Sequence, residues 1–327
     1  MENFYDLLFE LSNEDRHKIL LQLNMEEMTA TSLSKKLNLS KQEVSRHISR
    51  LSNAELTRKQ PDGSYCITHY GKLALKQLDG FDFISQYQRY FSFHSLAHLP
   101  DKFIHRIGEL KRSKQVNDIS VTYYNIEKVF VEAEEYVWLM TDHYLSSLFS
   151  LIARAIERGI NVRTIEAEDW VVPPEINEGY KNLPERDIQT INDARLSGLL
   201  KEGLLKKVGM YLYLSEKEVA IASFPLPDGK FDYIGFSTEE EQSHEWCEDL
   251  FKYFWERTRN RTSLGEELYN WIKKRPEAVD ILVNVVKGKD VSNKKELLSE
   301  LEGKSIIKQG RSTILGDIVY RRLQQAS

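Results

Sequence analysis

The stretch from Thr31 to Thr68, TSLSKKLNLSKQEVSRHISRLSNAELTRKQPDGSYCIT, constrains the fold of this chain more than any other. Ser40, with Glu43 three residues later, is a capping box, in which each side chain accepts a hydrogen bond from a free backbone amide at a helix start. The apolar positions that follow at a spacing of i, i+4 and i+7 are Val44, Ile48 and Leu51. We therefore predict a helix over 41–53 with one buried face.

The neighbouring elements are predicted from the same kinds of signal. Ser12 is expected to cap the first helix of the module, and Thr31 or Ser32 the helix that precedes 41–53. Two short runs, 56–59 and 65–68, flank Pro61-Asp62-Gly63 and predict a hairpin. The order helix, turn, helix and two-stranded wing is that of a winged helix-turn-helix.

The outward-facing side chains of the 41–53 helix are polar or basic, and such side chains hydrogen-bond base edges and phosphates when a helix enters the major groove. The wing adds two cations, and the preceding helix adds two hydroxyls and a lysine. The candidate DNA-binding residues are Thr31, Ser32, Lys35, Lys41, Gln42, Ser45, Arg46, Ser49, Arg50, Arg58 and Lys59.

The distribution of charge supports this assignment although the whole chain carries −5. Residues 31–79 carry +5 and residues 1–30 carry −5. The C-terminal segment, 262–327, carries +3, which leaves −8 on residues 80–261. A basic module joined to an acidic body is typical of a DNA-binding head with a separate regulatory part.

Composition excludes several classes of protein. No apolar run approaches the roughly 20 residues that span a bilayer, and no membrane partner is expected. Cys66 and Cys247 are the only cysteines among 327 residues, so a disulfide framework is excluded and a cytoplasmic location is expected. The glycines never form a dinucleotide-binding or phosphate-binding loop, and no cofactor is expected.

Residues 1–79 resemble an archaeal winged helix of the ArsR type, through the paired-helix run at 31–51. Residues 81–110 are similar to the linker and entry to the middle domain of archaeal methanogenesis-regulatory proteins. The residues that carry this second similarity are His94, Leu96, Leu99, Pro100, Phe103, Ile104, Arg106, Ile107, Gly108, Glu109 and Leu110. The resemblance covers about 1–260, and it implies a DNA-binding regulator.

Residues 119–260 alternate between strand-like and helix-like patterns. ISVTYYN at 119–125 is predicted to be a strand, 126–135 a helix, 136–144 a strand and 145–159 an amphipathic helix. A further strand is predicted at 160–169 and three more within 208–237, and residues 170–203 are predicted to be helical. A long closing helix is expected over 239–261.

This order resembles the αβα phospholipase-D-like fold. Enzymes of that fold carry H-x-K-x-x-x-x-D, but this sequence has Val208, Met210 and Ser215 at the three positions. The resemblance therefore implies a domain without catalytic residues, which senses a ligand or dimerises. We expect the protein not to be an enzyme.

The sequence contains partial signals for two further kinds of site. His94 with His98, and His244 with Cys247, have the spacing of metal ligands on a helix, but no third ligand accompanies either pair, so no metal is expected. Aromatic and polar residues of the middle domain are candidates for the binding of a small-molecule effector, or else ordinary core. The candidate pocket residues are Tyr123, Tyr124, Asp142, His143, Arg163, Tyr213 and Tyr233.

These inferences predict a multidomain α/β protein. The winged helix occupies 1–79, aromatic linker or dimerisation helices 80–118, the phospholipase-D-like domain 119–261 and a helical extension 262–327. The predicted function is that of a sequence-specific transcriptional regulator that binds double-stranded DNA as a homodimer. The alternatives are a diverged phosphodiesterase-like enzyme and a winged-helix adaptor that contacts only proteins. The extension is expected to pack on the body or on a partner subunit, with a second DNA-binding unit as its alternative.

Overall fold

A computed structural model describes residues 3–142, 148–171, 182–291 and 294–325. The chain forms two compact units. Unit 1 comprises Met1–Gln88 and His105–Lys111, and unit 2 comprises Arg89–Ile104 and Arg112–Ser327. The segment from 94 to 110, which carries the second family resemblance, is therefore divided between the two units.

Unit 1 contains the predicted winged helix, with one further helix at its start and a 3-10 turn at its end. Its elements are α1 (Phe4–Leu11), α2 (Glu14–Met25), α3 (Ala30–Leu37), α4 (Lys41–Asn53), β1 (Thr57–Lys59), β2 (Tyr65–Ile67), α5 (His69–Gln86) and a 3-10 turn (Ile107–Leu110). Strands β1 and β2 are antiparallel. Met28 adds a bridge to the sheet, because its backbone exchanges two hydrogen bonds with that of Tyr65.

Two helix starts differ from the prediction. Asn13, and not Ser12, caps α2 by accepting a hydrogen bond from the backbone of Arg16. Thr29, and not Thr31 or Ser32, caps α3. The neighbours of a true cap are often polar as well, and only the geometry of the chain entering the helix decides which residue remains outside it.

The core of unit 1 is a single apolar cluster. Leucine and isoleucine side chains from α2, α3 and α4 fill its centre. Gly108 of the 3-10 turn lies so close to α5 that a Cβ there would be 2.5 Å from the backbone nitrogen of Gly80. The turn is fixed there by an ion pair between Lys111 and Asp79 at 2.6 Å.

Unit 2 contains an eight-stranded mixed sheet. Its elements up to the sheet's last long helix are α6 (Gln88–Phe93), α7 (Asp101–Ile104), β3 (Lys114–Val116), α8 (Ile119–Glu132), β4 (Tyr136–Thr141), α9 (Leu148–Glu157), β5 (Asn161–Ala167), α10 (Glu185–Ser197), β6 (Leu200–Leu205), β7 (Tyr211–Ser215), β8 (Val219–Ser223), β9 (Gly235–Thr238) and α11 (Glu241–Trp255).

The strand order is β10-β6-β5-β4-β7-β8-β9-β3, where β10 is Arg259–Asn260. Strands β4, β5 and β6 are parallel, and the other neighbours are antiparallel. Helices α8, α9 and α10 pack on one face of this sheet. Helix α11 packs on the other, where the Trp138 and Phe251 rings stack at 5.0 Å. A mixed α/β fold with a large sheet is therefore confirmed.

Three sequence predictions for unit 2 were wrong. Residues 119–125 form the first half of α8 instead of a strand, because Asp118 caps the helix and Thr122, Ile126 and Val129 form its buried stripe. Packing thus overrides the β propensity of Ile, Val, Thr and Tyr. Strand β6 begins inside the region predicted to be helical and extends beyond it, and α11 ends at Trp255, well before residue 261.

The C-terminal segment of unit 2 packs on the edge of the sheet. Its elements are α12 (Arg261–Ile272), α13 (Pro276–Val286), α14 (Lys295–Gly303), a hairpin of β11 (Ile307–Lys308) and β12 (Arg311–Ser312), and α15 (Ile314–Gln325). Their apolar side chains form one cluster with Leu204 of β6. The backbone of Ile314 also donates a hydrogen bond to that of Trp170 at 2.7 Å.

Candidate nucleic-acid interface

Helix α4 begins where the capping box predicts. The Ser40 hydroxyl accepts a hydrogen bond from the Glu43 backbone at 3.2 Å, and the Glu43 carboxylate accepts one from the Ser40 backbone at 2.9 Å. These bonds hold the pKa of Glu43 below its usual value. Val44, Ile48 and Leu51 are buried, as predicted. The N-terminus of α4 is therefore fixed, and its opposite face is left to solvent.

His47 is a fourth buried residue of α4, and the apolar spacing did not indicate it. Its Nε2 lies 3.7 Å from the Asp15 carboxylate of α2. Burial is the main cause that lowers the pKa of His47. A neutral imidazole is thus favoured between α4 and α2 at neutral pH, and it adds no charge to the outer face.

The outer face of α4 presents the predicted side chains. Lys41, Gln42, Ser45, Arg46, Ser49 and Arg50 are all exposed. Among the residues that the structure describes, Lys41 and Arg46 form no ion pair. They are therefore free to meet phosphates or base edges, and Gln42 and Ser45 lie on the same face with them.

Arg50 is different, because it already has a partner. Its guanidinium donates hydrogen bonds to the Glu10 carboxylate of α1, with the Nε bond at 3.2 Å, and lies 5.1 Å from the centre of the Phe9 ring. Arg16 binds the same carboxylate at 3.0 Å and donates to the Phe9 carbonyl at 2.6 Å. Glu10 is thus held between two guanidiniums.

Sequence reasoning did not identify this arrangement. Glu10 and Arg50 are 40 positions apart, and no local pattern relates them. The only available signal was the net charge of −5 on residues 1–30, which stands directly before the basic module.

The predicted phosphate-binding residues on α3 lie in its exposed part. Thr31, Ser32 and Lys35 are all exposed, although the Ser32 hydroxyl is 3.0 Å from that of the capping Thr29. Lys36, which was not singled out, is bound to Glu26 at 2.8 Å. Of the two neighbouring lysines, Lys35 is therefore the one that forms no ion pair with a described residue.

The structure separates the two cations of the wing. Arg58 pairs with Cys66 and Lys59 with Tyr65, so their side chains point to opposite faces of the hairpin. Lys59 lies 6.0 Å from the centre of the Tyr65 ring. Arg58 instead lines a hollow of about 660 Å³ that also contains Glu26, Glu27 and Glu55. Lys59 and Arg58 therefore lie on different faces of the wing.

Four of the predicted pocket residues of unit 2, Tyr123, Asp142, Tyr213 and Tyr233, lie around Tyr211, whereas Arg163 does not. Tyr213 is buried on one face of the sheet, and Tyr211 beside it lies 4.9 Å from Tyr233. Burial raises the pKa of Tyr213 well above its usual value. Arg163 lies on the opposite face, between the Trp138 and Trp255 rings at 5.1 and 5.3 Å.

Of the other pocket candidates, Tyr124 is exposed on α8, and Tyr123 and Asp142 are partly buried. Asp142 and Tyr123 both contribute to the raised pKa of Tyr211, after the effect of burial. His143 lies outside the described residues.

The candidate metal ligands are engaged otherwise. His94 is buried with its Nε2 at 3.2 Å from the Asp232 carboxylate, and its ring stacks on Tyr90 at 3.7 Å. His244 is hydrogen-bonded to the Ser215 carbonyl at 2.7 Å. Cys66 and Cys247 are both buried free thiols. Within the described ranges, no group of three or more His, Cys, Asp or Glu side chains is placed to hold a metal ion.

None of the described helices is both long and apolar enough to cross a membrane.

Comparison with known proteins agrees with the geometry of unit 1. A family model described as winged helix-turn-helix matches residues 16–85, which contain α3, α4 and the wing. The N-terminal module is therefore a winged helix-turn-helix. No curated protein matches the chain.

Several solved structures show a remote likeness. TrmBL2, described as an archaeal chromatin protein with a novel mode of DNA binding, is 16% identical with a TM-score of 0.36, and the match covers 77% of this chain and 95% of that one. NucT from Helicobacter pylori is 11% identical with a TM-score of 0.33, over 45% of this chain and 96% of that one. The S-adenosylmethionine-dependent methyltransferase SibL is 12% identical with a TM-score of 0.23, over 61% and 62%. At such scores these likenesses carry no argument about function.

Proposed function

We propose that this protein is a sequence-specific DNA-binding transcriptional regulator. The observation that carries the proposal is the capped helix α4 of a winged helix-turn-helix, whose exposed face offers Gln42, Ser45 and Arg46 beside unpaired Lys41. In modules of this kind the second helix of the pair enters the major groove, and its outward side chains contact base edges.

The proposed contacts are of two kinds, those to base edges and those to the phosphate backbone. Gln42, Ser45 and Arg46 read base edges, since amide, hydroxyl and guanidinium groups match the pattern of the major groove. Thr31, Ser32 and Lys35 bind phosphates from α3. Lys59 binds the backbone at the wing, and Arg50 joins once it leaves Glu10.

We further infer that the protein acts as a homodimer. One winged helix buries less surface than specific binding normally requires, and two copies would contact half-sites about one helical turn apart. Helix α1 supports this, because Phe4 and Tyr5 are exposed on it although large apolar side chains are usually covered.

Unit 2 is, in this proposal, a non-catalytic regulatory body of the phospholipase-D-like kind, and the winged helix is of the ArsR type. The inference that unit 2 is non-catalytic is supported by the residues at the positions of the fold's catalytic motif. These residues are Val208, Met210 and Ser215, and all three are buried. Val208 and Met210 therefore supply neither the histidine nucleophile nor the lysine of the motif, and Ser215 supplies no carboxylate. A cytoplasmic protein that senses a small molecule is consistent with this body.

The first test replaces Arg46 by Ala. If Arg46 reads a base, sequence preference falls by about 1–3 kcal/mol, measured by gel shift on an operator selected from genomic fragments. The matched control is Lys76→Ala, which removes an exposed cation from α5 instead. Unchanged affinity together with unchanged preference in Arg46→Ala would overturn the assignment of α4.

The second test distinguishes DNA binding from the rival classes. Affinity for a duplex of arbitrary sequence should fall steeply with salt, because each phosphate contact releases counterions. A protein adaptor would show no such slope. A diverged phosphodiesterase would instead cleave DNA or a generic phosphodiester in the presence of a divalent metal.

A further inference from the structure

Unit 2 contains a cleft that none of the contacts above uses. It has a volume of about 580 Å³ and lies where β5 and β6 end. Its walls come from the segment before α7, from the residues that follow β5 and β6, and from the end of α11 and the start of β10. The polar residues that line it are His98, Glu168, Lys206, Lys207, Arg257 and Arg259.

The cleft carries an excess of positive charge. Of the described residues that line it, four are permanent cations at neutral pH and one, Glu168, is a carboxylate. Within the part of the chain that the structure describes, Lys206 and Lys207 form no ion pair. The surrounding segment, 80–261, carries −8. Like charges collected in one concave place repel one another, so this arrangement is stabilised when an anion enters.

The two arginines are held in place by the protein. Arg257 lies 3.5 Å from the centre of the Tyr253 ring and donates to the Tyr253 carbonyl at 2.7 Å. Arg259 is 3.6 Å from buried Glu168. Guanidiniums that are already oriented lose less freedom when they bind a phosphate, and their fork matches its oxygens. The nearby Glu256 and Glu267 contact these arginines only from exposed positions, at 3.7 and 3.8 Å.

The floor of the cleft is apolar. Leu99, Leu204, Leu205 and Phe254 line it. An inorganic ion would leave this surface uncovered, whereas an organic group attached to the anion would bury it. The volume also lies within the range of roughly 300–1,000 Å³ that is usual for small-molecule sites.

The position of the cleft in the sheet points the same way. Strands β5 and β6 run parallel, so their carboxyl ends open at the same edge. In open α/β sheets ligands commonly bind outside the carboxyl ends of parallel strands. The predicted aromatic pocket lies elsewhere, around Tyr211 and Tyr213.

We propose that this cleft binds a small organic phosphate of the nucleotide class. Arg257 and Arg259 contact the phosphate, Lys206 and Lys207 neutralise its remaining charge, and the organic part covers the apolar floor. The inference goes beyond DNA reading by α4, and it is tested without DNA, so the two proposals fail separately.

The experiment is isothermal titration calorimetry of the full chain with ATP, AMP and inorganic phosphate, each without metal. ATP and AMP should bind with dissociation constants in the range of about 10–500 µM, and inorganic phosphate should bind at least about tenfold more weakly. The double variant Lys206→Gln/Lys207→Gln should weaken nucleotide binding by about tenfold or more, since it removes two charges from the phosphate.

The matched control is Lys114→Gln/Lys201→Gln, which removes two exposed lysines of the same unit from outside the cleft. It should bind ATP as the unaltered chain does. All four substituted lysines are exposed, and tryptophan fluorescence checks that each variant is folded.

Three outcomes would overturn the proposal. The first is the absence of nucleotide binding at a nucleotide concentration of about 5 mM, which is well above the dissociation constants expected for the site. The second is equal weakening in both double variants, which would indicate attraction by net charge alone. The third is unchanged nucleotide binding in Lys206→Gln/Lys207→Gln, which would place any nucleotide site outside this cleft.

Discussion

Each unit contains one glutamate held between two arginines, but the two clusters differ in what they leave free. In unit 1, Glu10 binds Arg16 and Arg50. In unit 2, Glu202 binds Arg195 at 2.8 Å and Arg261 at 2.7 Å. The chemistry is the same in both, because a carboxylate accepts charge-assisted hydrogen bonds from two guanidinium groups.

The clusters differ in the exposure of one arginine, because Arg16 is at least as enclosed as its counterparts in unit 2. The side chain of Arg50 is 44% exposed, and it stands on the face of α4 that we assign to DNA. Arg261 is only 21% exposed, and its guanidinium also reaches buried Glu166 at 3.4 Å. Burial alone would raise the pKa of Glu202, but Arg261 and Arg195 outweigh it and lower this pKa to about 2.

The comparison indicates two uses of one motif. In unit 2 the cluster joins α10, β6 and the start of α12, so it stabilises the fold. In unit 1 we infer that Arg50 exchanges its carboxylate for a DNA phosphate while Arg16 keeps its bond to Glu10. The same ion pair therefore acts as a structural bond where it is enclosed and as a reserved contact where it is exposed.

The largest expected effect comes from Arg261→Ala. It leaves Glu202 buried with half of its partners, and breaking such a pair costs about 3–5 kcal/mol. Unfolding in urea, followed by tryptophan fluorescence, measures this, because all five tryptophans lie in unit 2. The control is Arg186→Ala, which removes an arginine that is 78% exposed in its pair with Glu157 and should cost below about 1 kcal/mol. Equal losses would contradict the structural role.

The two units should lose stability over different pH ranges when the protein is acidified. The pKa of Glu202 is lowered from 4.5 to about 2, so its contribution is complete above about pH 4.5 and is lost as pH falls towards 2. In unit 1 the pKa of His47 is lowered by burial, so stability there begins to fall below about 6.5, the usual value for histidine.

On acidification, helical circular dichroism should therefore change at a higher pH than tryptophan fluorescence. Glu202→Gln should flatten the fluorescence change between about pH 4.5 and 2. Simultaneous changes in both signals, with the variant unaltered, would refute this assignment of the groups.

The smallest effect is expected from Glu10→Gln. A neutral amide holds Arg50 less tightly and removes a negative charge from the DNA-facing side, so affinity for duplex DNA should rise about 3- to 10-fold at low salt. The gain should disappear in Glu10→Gln/Arg50→Ala. Glu14→Gln is the control, since Glu14 pairs with Lys18 on the exposed side of α2. Fluorescence anisotropy with a labelled duplex measures all four proteins, and an equal gain in the control would refute the reserved-contact interpretation.

Prediction from sequence succeeded where the signal was local. The capping box at Ser40 and Glu43 fixed the start of α4, and the wing followed from Pro61-Asp62-Gly63. It failed at 119–125, where β-branched residues form part of α8, and at Arg163, which lies on the other face of the sheet from Tyr213. Face and register are set by strand pairing, which a single sequence does not display.

By itself, the sequence determined the winged helix, the inward face of α4 and the basic character of residues 31–79, because these depend on spacing over a few positions. Only the tertiary structure decided that Arg50 is bound to Glu10, that Arg58 and Lys59 point apart, and that Lys206, Lys207, Arg257 and Arg259 share one cleft. These contacts and shared sites involve residues that are far apart along the chain. They depend on how whole helices and strands pack together, and the local sequence around a residue does not predict which distant residue it will contact.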